Sequence, residues 1–430
     1  MRVKPTRLLA DYPHTTNEFL VGPSSLLVTM VMILMRIRLA KLPLHVFRVA
    51  LLLVALYDPS ESANAQSHNV DGSFLIDTRI DGTPAVLLFD TGAEHSLLDR
   101  EYARQLGLRP VGVANILTPY SSSETEVVVV ADLDIQSIHS SGVKMMTEDL
   151  ATSFGALGVH IDGVLGNDFL RQVTATLDYS AGTVTFARKP VTHHGIPIKL
   201  HRVGDRYFAL LNFAGVPLSF LVDTGTNFSS LSQSGWSRLD QSRTTLRFID
   251  GVRSSGTSAT SKLVCISRVI IGQTSYQNLA MRVQPPLSDG FLASPGIDGL
   301  LGSDFLKQFV VVFDLGNSSL YLNVDHNFKV DPNRFSTIGI QFAKNPRGFF
   351  TVMAVWSPSP ASIAKINVGD EIVSVNGRST LDMNQDDLSR EIHGEPGRKV
   401  LVRIGSGGDQ RTVSLAMRNL LCQSPPGVTR

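Results

Sequence analysis

Cysteine is almost missing from this chain. Its 430 residues hold only Cys265 and Cys422, which fall in different predicted domains, so disulfides are not expected to hold the fold, and a bridge between these two stays open. Cys265 sits in an apolar strand and reads as a small buried hydrophobe rather than a nucleophile. Charge of one sign is missing too: Lys plus Arg number 39 and Asp plus Glu 38, with no long run of either, which excludes an electrostatic footprint for nucleic acid. Long apolar runs are lacking as well. Between Leu26 and Leu56 two apolar stretches are interrupted by Arg36, Arg38 and Lys41, each shorter than the roughly 20 residues a membrane-spanning helix needs.

The N-terminal segment reads as an export signal. Basic residues Arg36, Arg38, Lys41 and Arg48 precede the apolar stretch Val49 to Leu56, and Ala63-Asn64-Ala65 offers a small-residue cleavage site before Gln66. The mature protein is expected to begin near Gln66 and to be periplasmic or extracellular; the alternative is an anchor left uncut. Met35 suits as the start of such a signal. No cysteine follows the cleavage site, so a lipid anchor is unsupported there.

With 43% apolar residues the chain can bury several cores. Period-2 apolar runs bounded by turn residues predict strands over Phe74–Ile80, Ala85–Phe89, Glu126–Leu133, Thr183–Phe186, Phe208–Phe213, Ser219–Val222, Leu263–Ile271 and Phe309–Phe313. Asp81-Gly82 and Ala214-Gly215 suit tight hairpins. Helices are expected only over the short segments Arg100–Leu106, Phe169–Gln172 and Phe305–Gln308.

The strand pattern occurs twice. Phe74 to Asp90 lies over Tyr207 to Asp223 without a gap, 133 residues on (223 − 90), matching Gly82 to Gly215 and Pro84 to Pro217. Each copy ends an apolar run on the same phrase, Asp90-Thr91-Gly92-Ala93 and Asp223-Thr224-Gly225-Thr226. Further on, Ile161-Asp162-Gly163-Val164-Leu165-Gly166 answers Ile297-Asp298-Gly299-Leu300-Leu301-Gly302 at an offset of 136 (299 − 163). Duplication of a whole lobe, with one site between two halves, accounts for a period this long.

A buried strand fixes the backbone ahead of each aspartate, glycine lets the next peptide approach the carboxylate, and threonine can tie one loop to its twin. Two carboxylates about 3 Å apart cannot both ionise cheaply, so the pair shares a proton and supplies an acid and a base at one pH. Thr226 can offer a hydroxyl to Asp223 where Ala93 offers none to Asp90, which points to Asp223 as the ionised member.

These phrases resemble the aspartic peptidases of the pepsin and retropepsin clan, each of whose lobes carries Asp-Thr-Gly and then a hydrophobic-hydrophobic-Gly phrase. Val164-Leu165-Gly166 and Leu300-Leu301-Gly302 fit the second phrase, and the resemblance runs over about Gly72 to Val324. It implies Asp90 and Asp223 as a catalytic dyad, with Thr91, Gly92, Thr224 and Gly225 as supporting loops. It also implies flap hairpins near Pro119 to Glu124 and Ser254 to Ser261, with Tyr120 as a flap aromatic. The short lobes resemble fused retropepsin subunits, and no pro-segment is apparent between Gln66 and Gly72.

Beyond Val324 the repeat stops. Val368-Gly369-Asp370-Glu371-Ile372-Val373-Ser374-Val375-Asn376-Gly377 resembles a PDZ domain over about Phe335 to Leu420, with Asp386 to Ile392 as its groove helix. The resemblance implies that Gly348, Phe349 and Phe350 present backbone N–H groups to a chain terminus and lead into a peptide-accepting strand. Ala364-Lys365-Ile366 departs from the Ala-Gly-Leu usual there.

The expected fold is therefore mainly β: two tandem retropepsin-like acid-protease lobes forming one bilobal unit, then a small α+β PDZ domain. The divisions are an export segment and over-extended N-terminus at 1–65, lobes at 66–192 and 193–328, the PDZ domain at 329–421 and a tail at 422–430. The expected activity is endopeptidase cleavage of polypeptides, with PDZ-mediated recruitment or regulation by a peptide or protein C-terminus; the alternative is a non-catalytic peptide-binding adaptor. Neither cofactor nor metal is expected, because His193-His194 has no further ligands at metal-site spacing. Membrane contact is expected only through the export segment. His95 and Glu94 read as lobe-surface or pocket-lining residues.

Overall fold

A computed structural model describes residues 67–430 apart from 71, 120, 155–158, 189–194, 242–246, 254–259, 330, 407, 423–426 and 430. The export segment, Tyr120 and His193-His194 lie outside the described residues, as does the expected join between the lobes at 192/193. Among the described residues no helix is long and apolar enough to cross a membrane.

The first lobe is a sheet whose strands run, in spatial order, Ser67–Val70, Ser73–Ile80, Thr83–Phe89, Gly163–Leu165, Leu97–Asp99, Ile138–Glu148, Ser122–Ile135 and Gly112–Leu117. Ser73–Ile80 and Thr83–Phe89 form a hairpin in the register Leu75↔Leu88 to Ile80↔Thr83. Its turn takes positive φ at Asp81 (48°) and Gly82 (76°), the left-handed pair that matches the twist of the flanking strands. Arg206–Phe213 and Val216–Val222 repeat this hairpin, turning at Ala214 (50°) and Gly215 (95°). The helices are short, Arg100–Gln105, Asn167–Leu170 and Ser303–Leu306.

The lobes are not closed separately. Thr174–Asp178 and Thr183–Ala187, which follow the first lobe's short helix, pair into the second lobe's sheet through Val310↔Asp178 to Phe313↔Ala175. A common core results, in which Phe89, at the end of the first aspartate strand, lies 6.0 Å from both Phe186 and Phe313 between ring centroids. The apolar floor beneath both aspartates is therefore shared.

The third domain packs its own core, including Phe350, Val352, Ile372, Val375, Leu388, Ile392, Val400 and Val402. Its helix Gln385–Ile392 starts with a capping box in which Asn384 and Asp387 satisfy each other's backbone N–H groups. The Asn376-Gly377 turn takes positive φ, 50° and 82°. Lys365, which stands where the family has glycine, also takes a positive φ of 56°, so the local geometry is kept at a strain of about 1–2 kcal/mol.

The cysteines bring a correction. Cys265 and Cys422 form a disulfide with a Cα–Cα distance of 5.6 Å, inside a cluster of Leu263, Ala280 and Leu421 against which Phe228, Phe335 and Trp356 pack. The segment expected as a plain tail also adds a strand, Gly427–Thr429, antiparallel to Ser275–Gln277 of the second lobe. Cross-linking positions 157 residues apart restricts the unfolded chain strongly. Cys422→Ser is expected to cost about 2–4 kcal/mol, read as a denaturant midpoint lower than that of oxidised wild type and close to that of reduced wild type.

Candidate active site

Each aspartate is placed by two parallel strands. Thr83–Phe89 runs beside Gly163–Leu165 in the register Leu87↔Gly163 to Phe89↔Leu165, and Val216–Val222 runs beside Gly299–Leu301 from Phe220↔Gly299 to Val222↔Leu301. The hydrophobic-hydrophobic-Gly phrases are thus the strands flanking the aspartate strands. Asp90 N–H donates to Leu165 O at 3.1 Å, and Asp223 N–H to Leu301 O at 3.0 Å. Both side chains end in the same place because the duplicated scaffolds face each other.

The threonines lock the two loops reciprocally. Thr91 Oγ1 donates to Val222 O (2.8 Å) while accepting from Thr224 N–H (3.2 Å); Thr224 Oγ1 donates to Phe89 O (3.0 Å) while accepting from Thr91 N–H (3.0 Å). Both residues are 1% exposed, so a lost hydroxyl strands a buried donor and a buried acceptor. Thr91→Val is expected to cost about 2–4 kcal/mol and Thr91→Ser far less, as read by thermal unfolding of the pair.

The carboxyls of Asp90 and Asp223 hydrogen-bond to each other. Glycine permits this approach: a Cβ at Gly92 would stand 2.5 Å from Asp223 Cγ, and one at Gly225 2.4 Å from Asp90 Cγ. Gly92 N–H donates to Asp90 Oδ1 at 2.7 Å, and Gly225 N–H to Asp223 Oδ1 at 2.9 Å. Burial raises the carboxyl of Asp90, opposed by N–H groups of Gly92, Ala93 and Gly225 and by the hydrogen bond from Asp223. Burial, the charge of Asp90 and the hydrogen bond to it push Asp223 well above the usual carboxylate range. Asp90 is therefore the ionised member and Asp223 carries the proton, the reverse of the assignment from the Thr226 hydroxyl. The physical reason is that burial, the charge of Asp90 and the hydrogen bond to it all raise Asp223, whereas on Asp90 the rise from burial is opposed first by the Gly92 N–H and then by the hydrogen bond from Asp223.

A cavity of about 980 Å³ opens above the dyad. The antiparallel pair of Gly112–Leu117 and Ser122–Ile135 lines it with Asn115, Leu117 and Ser123; the matching antiparallel pair is Arg247–Arg253 with Thr260–Ile271, and 120 and 254–259 lie outside the described residues. Glu94 and His95 both line the cavity. Sequence reasoning missed Arg206, whose side chain is 9% exposed and whose Nη1 lies 2.9 Å from Glu94 Oε2. Burial lowers its pKa, and the charges of Glu94, Asp223 and Asp90 offset only part of that. The signal was present: Arg206 falls opposite Ser73 in the repeat.

The third domain's expected loop is also corrected. Gly348 N–H donates to Asn345 O (2.9 Å), Asn345 N–H to Phe349 O (2.7 Å) and Phe349 N–H to Asn345 Oδ1 (3.2 Å), so these groups close a hairpin and have none to offer a chain terminus. Phe350 is 1% exposed, on a strand paired on both sides. The sheet's two edge strands are Ile340–Lys344 and Asp409–Ala416, and the former is entered through Gly339 at φ 87°. Ile338-Gly339-Ile340 and Gly348-Phe349-Phe350 are similar phrases, and only the strand order distinguishes them.

Among the described residues no group of three His, Cys, Asp or Glu could hold a metal ion. The family model for aspartyl protease matches residues 76–169 and 209–305, and the model for PDZ domain matches 351–404. No curated protein sequence matches the chain. Among solved structures it is similar to the aspartic proteinase from Irpex lacteus, at 12% identity over 61% of this chain and 97% of that one, with a TM-score of 0.40. A second similarity, to a photosystem II D1 C-terminal processing protease, has 24% identity over 20% of this chain and 24% of that one, with a TM-score of 0.20.

Proposed function

Two aspartyl protease repeats followed by a PDZ domain make up this chain, and from that premise we propose that it is an aspartic peptidase acting on polypeptides. The observation that carries the reading is the mutual hydrogen bond of Asp90 and Asp223 at the floor of one cleft. Ionised Asp90 takes a proton from a water held between the carboxyls as the water attacks the peptide carbonyl. Asp223 gives its proton to the developing oxygen, and the proton on Asp90 then passes to the leaving amine. Water is the nucleophile, so no covalent intermediate is needed. Thr91, Gly92, Thr224 and Gly225 act by holding the two carboxyls in place.

The PDZ domain takes an extended polypeptide, with the chain's C-terminus as the expected end, at the edge strand Ile340–Lys344 by β-augmentation. It recruits substrate or regulates access. The setting we propose is outside the cytoplasm, periplasmic or extracellular, reached through the 1–65 segment, with retention by that segment as an uncut anchor as the alternative. The Cys265–Cys422 bridge supports an oxidising compartment.

A second reading, a peptide-binding adaptor on a peptidase scaffold, draws on the same edge strand. A broad peptide library incubated with the 66–430 protein separates the two. The peptidase predicts cleavage that pepstatin suppresses; the adaptor predicts bound but intact peptides.

A further inference from the structure

We propose that Arg206 limits how much polypeptide the cleft admits on one side of the scissile bond, so that the protein trims chains from an end rather than cutting them internally. The proposal rests on the peptidase reading above and narrows its substrate to polypeptides with a free end near the cut.

Arg206 opens the second lobe's first hairpin strand as Ser73 opens the first lobe's, 133 residues apart (206 − 73), and both line the cavity. The two ends of a cleft built by duplication therefore differ, with a short hydroxyl at one and a guanidinium at the other. A serine cannot reach across; this arginine does. Its Nη1 meets Glu94 Oε2 at 2.9 Å, four residues past Asp90 on the floor. Its Nη2 donates to Leu117 O at 2.5 Å, on the first lobe's antiparallel pair. Its Cζ lies 4.5 Å from the ring centroid of Phe291.

The seam continues beyond the guanidinium. Phe291 N–H donates to Thr118 O (3.1 Å) and Leu292 N–H to Pro119 O (3.3 Å), while Ser122 N–H donates to Asp289 Oδ2 at 3.0 Å. This antiparallel pair of the first lobe is thus stitched to the second lobe along one side of the cleft. An extended chain leaving on that side has to part this seam, and moving Arg206 leaves the Glu94 carboxylate, 23% exposed, without its cation. The other direction presents Ser73, whose side chain is too short to bridge the cleft.

The test uses the 66–430 protein and one peptide sequence in two forms, linear and backbone-cyclised, with products identified by mass spectrometry. Wild type is expected to release short fragments from one end of the linear form and to cut the cyclic form at least about 100-fold more slowly. Arg206→Ser is expected to raise cleavage of the cyclic form at least about tenfold. If that variant does not fold, the wild-type product pattern still decides. Internal fragments from both forms at comparable rates in wild type would overturn the proposal while leaving the peptidase reading intact. Cleavage of neither form removes the peptidase reading and the proposal together.

Discussion

Replacing Asp90 or Asp223 by asparagine is expected to lower peptide cleavage by about 10⁴-fold, the upper end of what positioned general acid–base groups contribute. The amide keeps the shape of the carboxylate, so Gly92 N–H and Gly225 N–H still find an oxygen to donate to. What is lost is the capacity to take or give a proton. At position 90 the variant cannot deprotonate the water; at position 223 it cannot deliver the proton to the developing oxygen. The two single variants and the double variant are expected to be equally inactive, because the carboxyls act as a unit. Both single variants are expected to fold, since an amide carries no charge into a site where burial already opposes charge. Cleavage rates and thermal unfolding measured side by side check both statements. A residual activity in Asp223→Asn within tenfold of wild type would contradict the account.

Adding one methyl at Gly225 is expected to be nearly as damaging. The Cβ would lie 2.4 Å from Asp90 Cγ and 2.4 Å from its Oδ2, closer than atoms can sit, so the carboxyl must swing away and the hydrogen bond to Asp223 breaks. Displacement by about 1 Å at a reacting group can cost about 10²-fold in rate, and Gly225→Ala is expected to lose at least that. Gly92→Ala acts on the other carboxyl, with its Cβ 2.5 Å from Asp223 Cγ. Gly112→Ala is the control, because a methyl there meets nothing within 4 Å. Single-turnover cleavage by the three variants checks the ranking. Equal activity in Gly112→Ala and Gly225→Ala would show that the carboxyls need not approach so closely.

The local features of this fold are legible in the sequence because they are set by neighbours along the chain. Thr83–Phe89 and Val216–Val222 each become fully buried toward the aspartate end, which the apolar runs announce, and Asp81-Gly82 and Ala214-Gly215 announce the turns. The pairing of Asp90 with Asp223 is legible for a different reason: duplication writes the non-local contact into the sequence twice. Where the second copy differs from the first, the sequence shows that a difference exists but not what it touches, and where no copy exists it is silent. Arg206 against Ser73 is such a difference, and its partners Glu94, Leu117 and Phe291 lie on three other segments. The Cys265–Cys422 bridge has no local signature. Strand order decided between Ile340–Lys344 and Phe350 as the open edge, and strand order depends on packing across the whole domain. Protonation within the dyad turned on burial and on how each carboxyl meets the other, which only the folded loops fix.

The pH dependence of kcat/KM for a single fluorogenic peptide tests the central claim most directly. Asp90 must be ionised and Asp223 protonated, so the rate is predicted to fall on the acid side as Asp90 takes up a proton. It is predicted to fall again on the alkaline side as Asp223, held well above the usual carboxylate range, gives its proton up. Both limbs belong to the pair. A profile with no alkaline limb, or one left unchanged by Asp223→Asn, would contradict a dyad that shares one proton.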